Sequence, residues 1–502
     1  MKNKLFLRVL MLLLALCMTV SVFAACATED DDENASATNE EAEVSTVGDG
    51  NATEEITNDV DITLDREVRI LYSDYLAGLE AVQEQDIGED VVKKAIYDRW
   101  QNVQDKLNVE ITWVGKPGKW DNTRTAFMQD VETNSETGTA YDAIICYNLL
   151  PGGMASKNLL QNLMESDYID LSKPWWPQAF ADEMIVNEVL YGIAENSSKS
   201  NLTHLHGTFF NNKLIEDLGL EDPYTHVANN TWTFETMLSM VKDIGYDKNE
   251  NGAKDALDFF GVVTGTQAKI ETWFIGMGYR YSQKTADGGI ELLMSDSNKM
   301  IEWIDRFNNA TASKDFLIYD HEGHTTAFFE ERAVLYMTSL VMVNSMIEKD
   351  IQMNYGVVPV PKGSESQERY YSNVANHYAI WCVPNAVHDF QESTALIETM
   401  AAESYFVVAP MYFETCVKLR YAPDERLYGM YDMVRDSMAF DFCQVYSFAF
   451  AEGQDPRQLL TNCTDVSKNG SGPKANWASQ WESIGSNFEK SFASILALYG
   501  LG

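Results

Sequence analysis

Residues 66–147 constrain the fold most, because three short apolar runs alternate there with two helical patterns. Arg66–Tyr72 is rich in β-formers. Residues 90–107 place Val91, Val92, Ile96, Trp100, Val103 and Leu107 on one side of a helix. Asn108–Val114 reads as a second strand, 120–133 as a second helix and Ala143–Tyr147 as a third strand. That third run is almost wholly apolar, as expected of a strand covered on both faces. Strands alternating with helices build parallel βαβ units, so the class is α/β. In such sheets ligands meet the loops beyond the carboxyl ends of the strands. Those loops open here at Tyr72-Ser73-Asp74-Tyr75, at Gly115 and at Tyr147-Asn148.

The full chain of 502 residues is too long for one small core, and two or three lobes are expected. With 45% hydrophobic residues it buries a large core, which excludes wholesale disorder. Its net charge of −39 argues against binding nucleic acid or anionic lipid through the overall field. The first residues read as an export signal. Lys2, Lys4 and Arg8 precede seventeen uncharged residues, Val9–Ala25, and small residues then lead to Cys26. Phe23-Ala24-Ala25-Cys26 resembles a bacterial lipobox, which implies cleavage after residue 25 and lipidation of Cys26. A plain secreted protein or an uncleaved anchor are the alternatives. Residues 29–61 hold thirteen acids and no base, so 26–61 reads as a disordered, self-repelling tether. Cys146, Cys382, Cys416, Cys443 and Cys463 are scattered, odd in number and without CxxC spacing, which argues against a zinc site or a disulfide framework.

Nucleotide and catalytic signatures are missing: there is no P-loop, GxGxxG, GxSxG or HExxH. The close pairs His204/His206 and His321/His324 read as incidental residues of polar loops. No acid stands in a pattern that selects it for catalysis. The most specific chemical motif is a twelve-residue run that fits an EF-hand calcium loop. Asp247, Asn249, Asn251, Asp255 and Asp258 supply side-chain oxygens at positions 1, 3, 5, 9 and 12. Gly252 takes the sharp turn and Ala253 offers its carbonyl. Two asparagines and the short Asp258 reduce charge and reach. A strand-like run, Phe259–Val263, follows the loop, so this is no complete EF-hand. The expectation is a structural Ca²⁺ clamp, and the alternative is a metal-free Asx/Gly turn.

Across residues 141–445 several motifs occur in an order that resembles bacterial ABC-importer extracellular solute-binding proteins of the maltodextrin-binding type. The resemblance rests on Tyr141–Tyr147, on Asp170-Leu-Ser-Lys-Pro-Trp-Trp176 with Leu190-Tyr-Gly-Ile193, and on Thr208–Ile215 with Trp232. Phe328–Leu335, Tyr355–Lys362 and Glu398–Tyr412 extend it. It implies a two-lobed periplasmic-binding-protein fold of type II, with mixed sheets flanked by helices and a hinge between the lobes. The implied division is an N-lobe from 62–206 that returns at 373–425, a C-lobe from 207–372, and C-terminal helices at 426–502 packing on the C-lobe.

The resemblance also implies a lipid-anchored monomer on the outer face of the cell membrane. It would capture a carbohydrate by hinge closure, hand it to permease subunits and perform no chemistry. Aromatic rings suit the flat faces of sugars, and Asp, Glu, Asn and Gln suit their hydroxyls. The implied ligand contacts are Tyr147, Asn148, Glu271 and Trp273, with Asp74, Tyr75 and Asn376 beside them. Trp175, Trp176, Trp232 and Trp381 read as packing residues. A surface glycan-degrading enzyme and a non-transport sensory or adhesion protein remain as rival readings. A peptide or polyamine ligand is a further alternative.

Overall fold

Three strands, β1 (Arg66–Ser73), β2 (Val109–Lys116) and β3 (Ala143–Tyr147), lie parallel with β1 in the middle. The register sets Ile70 opposite both Trp113 and Ala143. All three therefore end on one edge. The helix Val91–Leu107 crosses from β1 to β2. Asp90 caps it by accepting from the backbone N–H groups of Val92 and Lys93, and Asn108 ends it in a left-handed conformation with φ 48°. The second helix runs Thr123–Thr137 and begins later than its periodicity suggests, which leaves Trp120 in the loop beyond β2. The computed structural model describes residues 56–137, 141–266, 268–318, 323–374, 377–413, 425–451, 453–464 and 473–501. The chain divides into Met1–Ile56 and Thr57–Gly502. The expected leader, Cys26 and the tether up to residue 55 lie outside the described residues, as does Cys416.

A second sheet is mixed. β4 (His206–Asn211) and β5 (Phe260–Thr264) are followed by a small hairpin of β6 (Ser282–Lys284) and β7 (Ile290–Leu292). Then come β8 (Phe316–Ile318), β9 (Ala333–Ser339) and β10 (Tyr355–Val358). The sheet order is β10-β4-β9-β5-β8, with β5 parallel to β8 and β9 and β4 antiparallel to its neighbours. Its strands are buried throughout, and Trp303 stacks on Phe307 at 4.9 Å in the helix Ser297–Ala312 that covers it. The C-terminal helix Trp477–Ala497 packs on that same helix.

The chain passes between the two sheets near residues 205 and 374, and these passages touch. Leu205 bridges Val374, and the Ser372 hydroxyl donates to the His206 carbonyl at 2.5 Å. β11 (Ser372–Asn373) pairs with β13 (Met438–Ala439). β12 (Ala379–Cys382) joins the first sheet antiparallel to β3, with Ala379 opposite Tyr147. The molecule is thus a two-lobed α/β protein whose lobes are mixed sheets flanked by helices. Trp175, Trp176, Trp232 and Trp381 are all buried, and Cys146, Cys382, Cys443 and Cys463 are buried free thiols. Among the described residues no helix is long and apolar enough to cross a membrane.

Candidate ligand site

The shared carboxyl edge of β1, β2 and β3 gathers aromatic rings from three loops. Tyr75 lies in the turn just after β1, Trp120 in the loop after β2, and Tyr147 ends β3. The Ser73 hydroxyl donates to the Gly118 carbonyl and ties the first loop to the second. His377 arrives from far along the sequence, because it leads into β12 beside the end of β3. The four rings form a box. Tyr75 sits 5.4 Å from Trp120, 6.2 Å from Tyr147 and 5.1 Å from His377, centroid to centroid. Trp120 lies 6.1 Å from Tyr147 and 5.5 Å from His377, and Tyr147 lies 6.1 Å from His377. Tyr147 is 1% exposed and Trp120 46%, so the box has a buried floor and an open wall.

Polar groups surround Tyr147 on another side. Glu271 accepts from Gln444 Nε2 at 2.9 Å and faces Arg457 Nε at 3.7 Å. Arg457 is also held by Asp455, with Nη2 to Oδ2 at 2.5 Å. Burial opposes the Arg457 charge, but Asp455 and Glu271 outweigh it and raise the pKa. Burial raises the pKa of Tyr147, with Arg457 opposing and Tyr75, Glu271 and Asp455 adding to the shift. The phenols of Tyr281 and Tyr378 are likewise raised by burial and feel Glu271. Asn148 is fully buried and its backbone N–H donates to the Tyr378 carbonyl at 3.1 Å. Among the described residues neither side-chain amide atom of Asn148 meets hydrogen-bond geometry, although its side chain is close enough to the Tyr378 hydroxyl to lower that phenol's pKa against the rise from burial. Among the described residues the Tyr281 hydroxyl and the Gln444 Oε1 are buried without partners as well. Buried polar atoms of this kind are costly to leave without partners.

Histidines extend the site toward the chain passages. His204 packs on His377 at 5.1 Å. Nδ1 of His204 meets the Ser200 carbonyl at 2.9 Å, and Nδ1 of His206 meets the Asn373 carbonyl at 2.9 Å. Carbonyls only accept, so both Nδ1 atoms carry protons. Burial lowers the pKa values of His204 to about 4, His206 to about 3 and His377 to about 2, leaving all three neutral near pH 7. His204 and His206 were expected in a polar loop. They are instead buried, because one ends a short helix and the other begins β4.

The structure thus brings Tyr75, Tyr147, Asn148 and Glu271 to one region and sets Trp273 apart from it. Trp273 is completely buried against Phe234, Phe307 and Phe316, so it is a core residue of the second lobe rather than a ring of the box. Asp74 is exposed beside the box, and Asn376 lies outside the described residues. Trp120 was missed, although it follows the same carboxyl-end rule as Tyr75. His377, Arg457 and Gln444 carry no local signal.

The 247–258 loop closes on itself far from these rings in sequence. Asp247 accepts from Asn251 N at 3.3 Å and Gly252 N at 2.7 Å, and Gly252 has φ +76°. The Asn249 and Asn251 amides both reach Asp255, while Asp258 accepts from Lys248 N and Asp255 N. Asp247, Asn249, Asn251 and Asp255 are thus tied together by hydrogen bonds within the loop. Among the described residues no group of three or more His, Cys, Asp or Glu is placed to hold a metal ion.

No protein-family model matches the chain, and no curated protein does. Solved structures do. The GacH receptor of Streptomyces glaucescens, solved unliganded and with acarbose, aligns at 13% identity over 85% of this chain and 99% of its own, with TM-score 0.51. An ABC substrate-binding protein of Listeria monocytogenes in complex with cycloalternan aligns at 13% identity over 87% and 100%, with TM-score 0.50. The maltose-binding periplasmic protein MalE of the same organism, with maltose, aligns at 11% identity over 86% and 97%, with TM-score 0.50. Together with the paired sheets and their touching chain passages, these matches give this chain the two-lobed fold of ABC-transporter solute-binding proteins.

Proposed function

We propose that the chain is an extracellular receptor that captures an oligosaccharide between its lobes and delivers it unaltered to ABC permease subunits. The observation that carries this reading is the ring box at the edge of the first sheet, set against buried polar atoms without partners around Glu271. Ring faces pack on sugar C–H surfaces and the polar atoms take hydroxyls. The acarbose, cycloalternan and maltose complexes of the similar structures agree with this ligand class. Glu271 and Asp455 both engage Arg457, which suits binding better than the acid–nucleophile pair of a glycosidase. In this reading the lobes are 62–206 with 373–425 and 207–372 with 426–502. Lipid on Cys26 holds the monomer at the membrane, and the 247–258 loop clamps Ca²⁺. A thermal-shift panel of oligosaccharides, peptides and amines, run with and without EDTA, tests it. A sugar that raises the melting temperature without releasing reducing ends supports it. A response to peptides or amines alone overturns the carbohydrate, reducing-end release overturns the receptor, and indifference of a calcium-loaded sample to EDTA overturns the clamp.

A further inference from the structure

A tight turn of the first lobe is gripped by two elements of the second. Val186 and Val189 pair as an antiparallel bridge, with N–H to carbonyl bonds of 3.2 Å and 2.9 Å, and enclose the two-residue turn Asn187-Glu188. Both turn residues are left-handed, at φ 47° and 61°, the backbone that closes so short a hairpin. Asparagine suits that conformation but glutamate does not, so the turn is kept at a cost. It belongs to the first lobe, because Leu190 N donates to the Asn162 side chain at 2.9 Å and Ile193 bridges Trp381 of β12.

Its partners are built on the other lobe. The helix Trp477–Ala497 packs on the helix Ser297–Ala312 and runs out into a turn at residues 498–500. Asn187 Nδ2 donates to the Tyr499 carbonyl at 2.7 Å, and the Tyr191 hydroxyl donates to the Leu498 carbonyl at 2.8 Å. Carbonyls at a helix end lack intrahelical donors, so the first lobe supplies them. The Tyr191 and Tyr499 rings lie 5.5 Å apart. Gly500 is left-handed at φ 69°, and a Cβ there would come within 3.4 Å of Asn187 Nδ2. The second grip is the tip of the β6–β7 hairpin, where Asn187 N donates to the Gly288 carbonyl at 3.4 Å. The Tyr499 hydroxyl donates in turn to the Tyr446 hydroxyl, and the Tyr446 ring stacks on Phe442 at 4.4 Å. That segment is fixed to the second lobe by Asp441, which accepts from Tyr281 N at 2.8 Å. It meets the first lobe at Gly152, where a Cβ would lie 2.9 Å from the Tyr446 Cα. Each side of this contact is thus anchored in its own lobe. The bonds across it are few and neutral, so they can break without unfolding either lobe, and they break together when the lobes separate.

We propose that the Asn187-Glu188 turn, Tyr191 and the C-terminal turn form a latch. It holds the two lobes at the spacing of this structure, and its release lets them swing about the passages near residues 205 and 374. The latch concerns the hinge and not the ligand, so it stands or falls apart from the carbohydrate reading.

The test is hydrogen exchange of the ligand-free full chain, the parent against the double variant Asn187→Gly with Tyr191→Phe. Glycine keeps the left-handed turn and phenylalanine keeps the ring on Tyr499, so the side-chain bonds to residues 498 and 499 are what is lost. Exchange in 150–156 and 442–449, which meet across the lobes, is expected to quicken about tenfold, as for two neutral hydrogen bonds. Exchange within β3 and β9 should keep the parent's rate. Tyr191→Phe alone leaves the turn untouched and should give about threefold at the same segments. Unchanged exchange at 150–156 and 442–449 overturns the latch. Equal quickening in β3 and β9 overturns it too, because the two bonds then serve the fold as a whole.

Discussion

The two lobes treat the same problem, a buried carboxylate, in different ways. Beside the first sheet, Glu398 is held by neutral donors: Trp175 Nε1 on Oε1 and Trp176 Nε1 on Oε2, each at 2.9 Å. Beside the second lobe, Glu271 is held by the Gln444 amide and faces the Arg457 guanidinium. The first arrangement is rigid and locks chain geometry. The second places charge where it acts on the Tyr147 phenol. The same division marks the site itself. Its rings come from the edge of the first sheet and its ions from Glu271, Asp455 and Arg457. Ring faces from one lobe and charge from the other meet only where both lobes contribute.

Removing the cation is the most disruptive way to break this contrast. Arg457→Met leaves Glu271 and Asp455 without their guanidinium in a mostly buried place. The expected loss is about 3–5 kcal/mol of unfolding free energy, read by chemical denaturation. A loss no larger than that of an ordinary surface substitution would show that the ion cluster is not structurally coupled.

The indole-held acid gives a pH signature. Burial raises the Glu398 pKa from 4.5 to about 7, although Trp176 and Trp175 oppose the rise. The folded state then binds the proton more tightly than the unfolded chain. The stabilising contribution is full below pH 4.5 and is lost as pH climbs through 7. Its size is roughly 3 kcal/mol across that window. Glu183 and Glu195, also raised to about 7 by burial, act with the same sign. The melting temperature should therefore fall between pH 5 and pH 8, and Glu398→Gln should flatten the fall. Relief of the net negative charge at low pH works in the same direction. Only the difference between parent and variant isolates Glu398, and an unchanged slope in the variant would refute the assignment.

The first sheet was legible in the sequence because parallel strands covered on both faces leave continuous apolar runs, as at Ala143–Tyr147. Its carboxyl edge followed from the alternation alone, and that edge found Tyr75, Tyr147 and Asn148. Other parts of the site depend on strand pairing between distant segments. His377 reaches Tyr147 only because β12 pairs with β3, and Arg457 reaches Glu271 only because late helices pack back on the second lobe. No local pattern encodes either contact. Trp273 misled for the opposite reason: aromatic and next to Gly276 and Gly278, it has the local character of a ligand ring, yet the core of the second lobe encloses it.

Trp120→Ala probes the other half of the contrast. Nearly half of this ring is exposed, so little stability is at stake. Loss of a stacking face should weaken sugar binding by about 1–2 kcal/mol, or roughly tenfold in Kd, measured by titration. Unchanged affinity would remove Trp120 from the box as a ligand wall.

Asn148→Leu is the mildest change and the sharpest, because it should move stability and affinity in opposite directions. The Asn148 amide is buried with both polar atoms unpartnered among the described residues, a state that costs about 1–3 kcal/mol. Leucine fills a similar volume without that cost, so the ligand-free melting temperature should hold or rise. The amide is nevertheless what a ligand hydroxyl would meet at the end of β3, next to Tyr147. The affinity for the captured saccharide should then drop by about tenfold, as for one lost hydrogen bond. If the variant binds as well as the parent, the unpartnered amide is a fault of packing rather than a ligand contact. If it binds less and melts lower, Asn148 serves the fold and the carboxyl edge of β3 contributes only its ring.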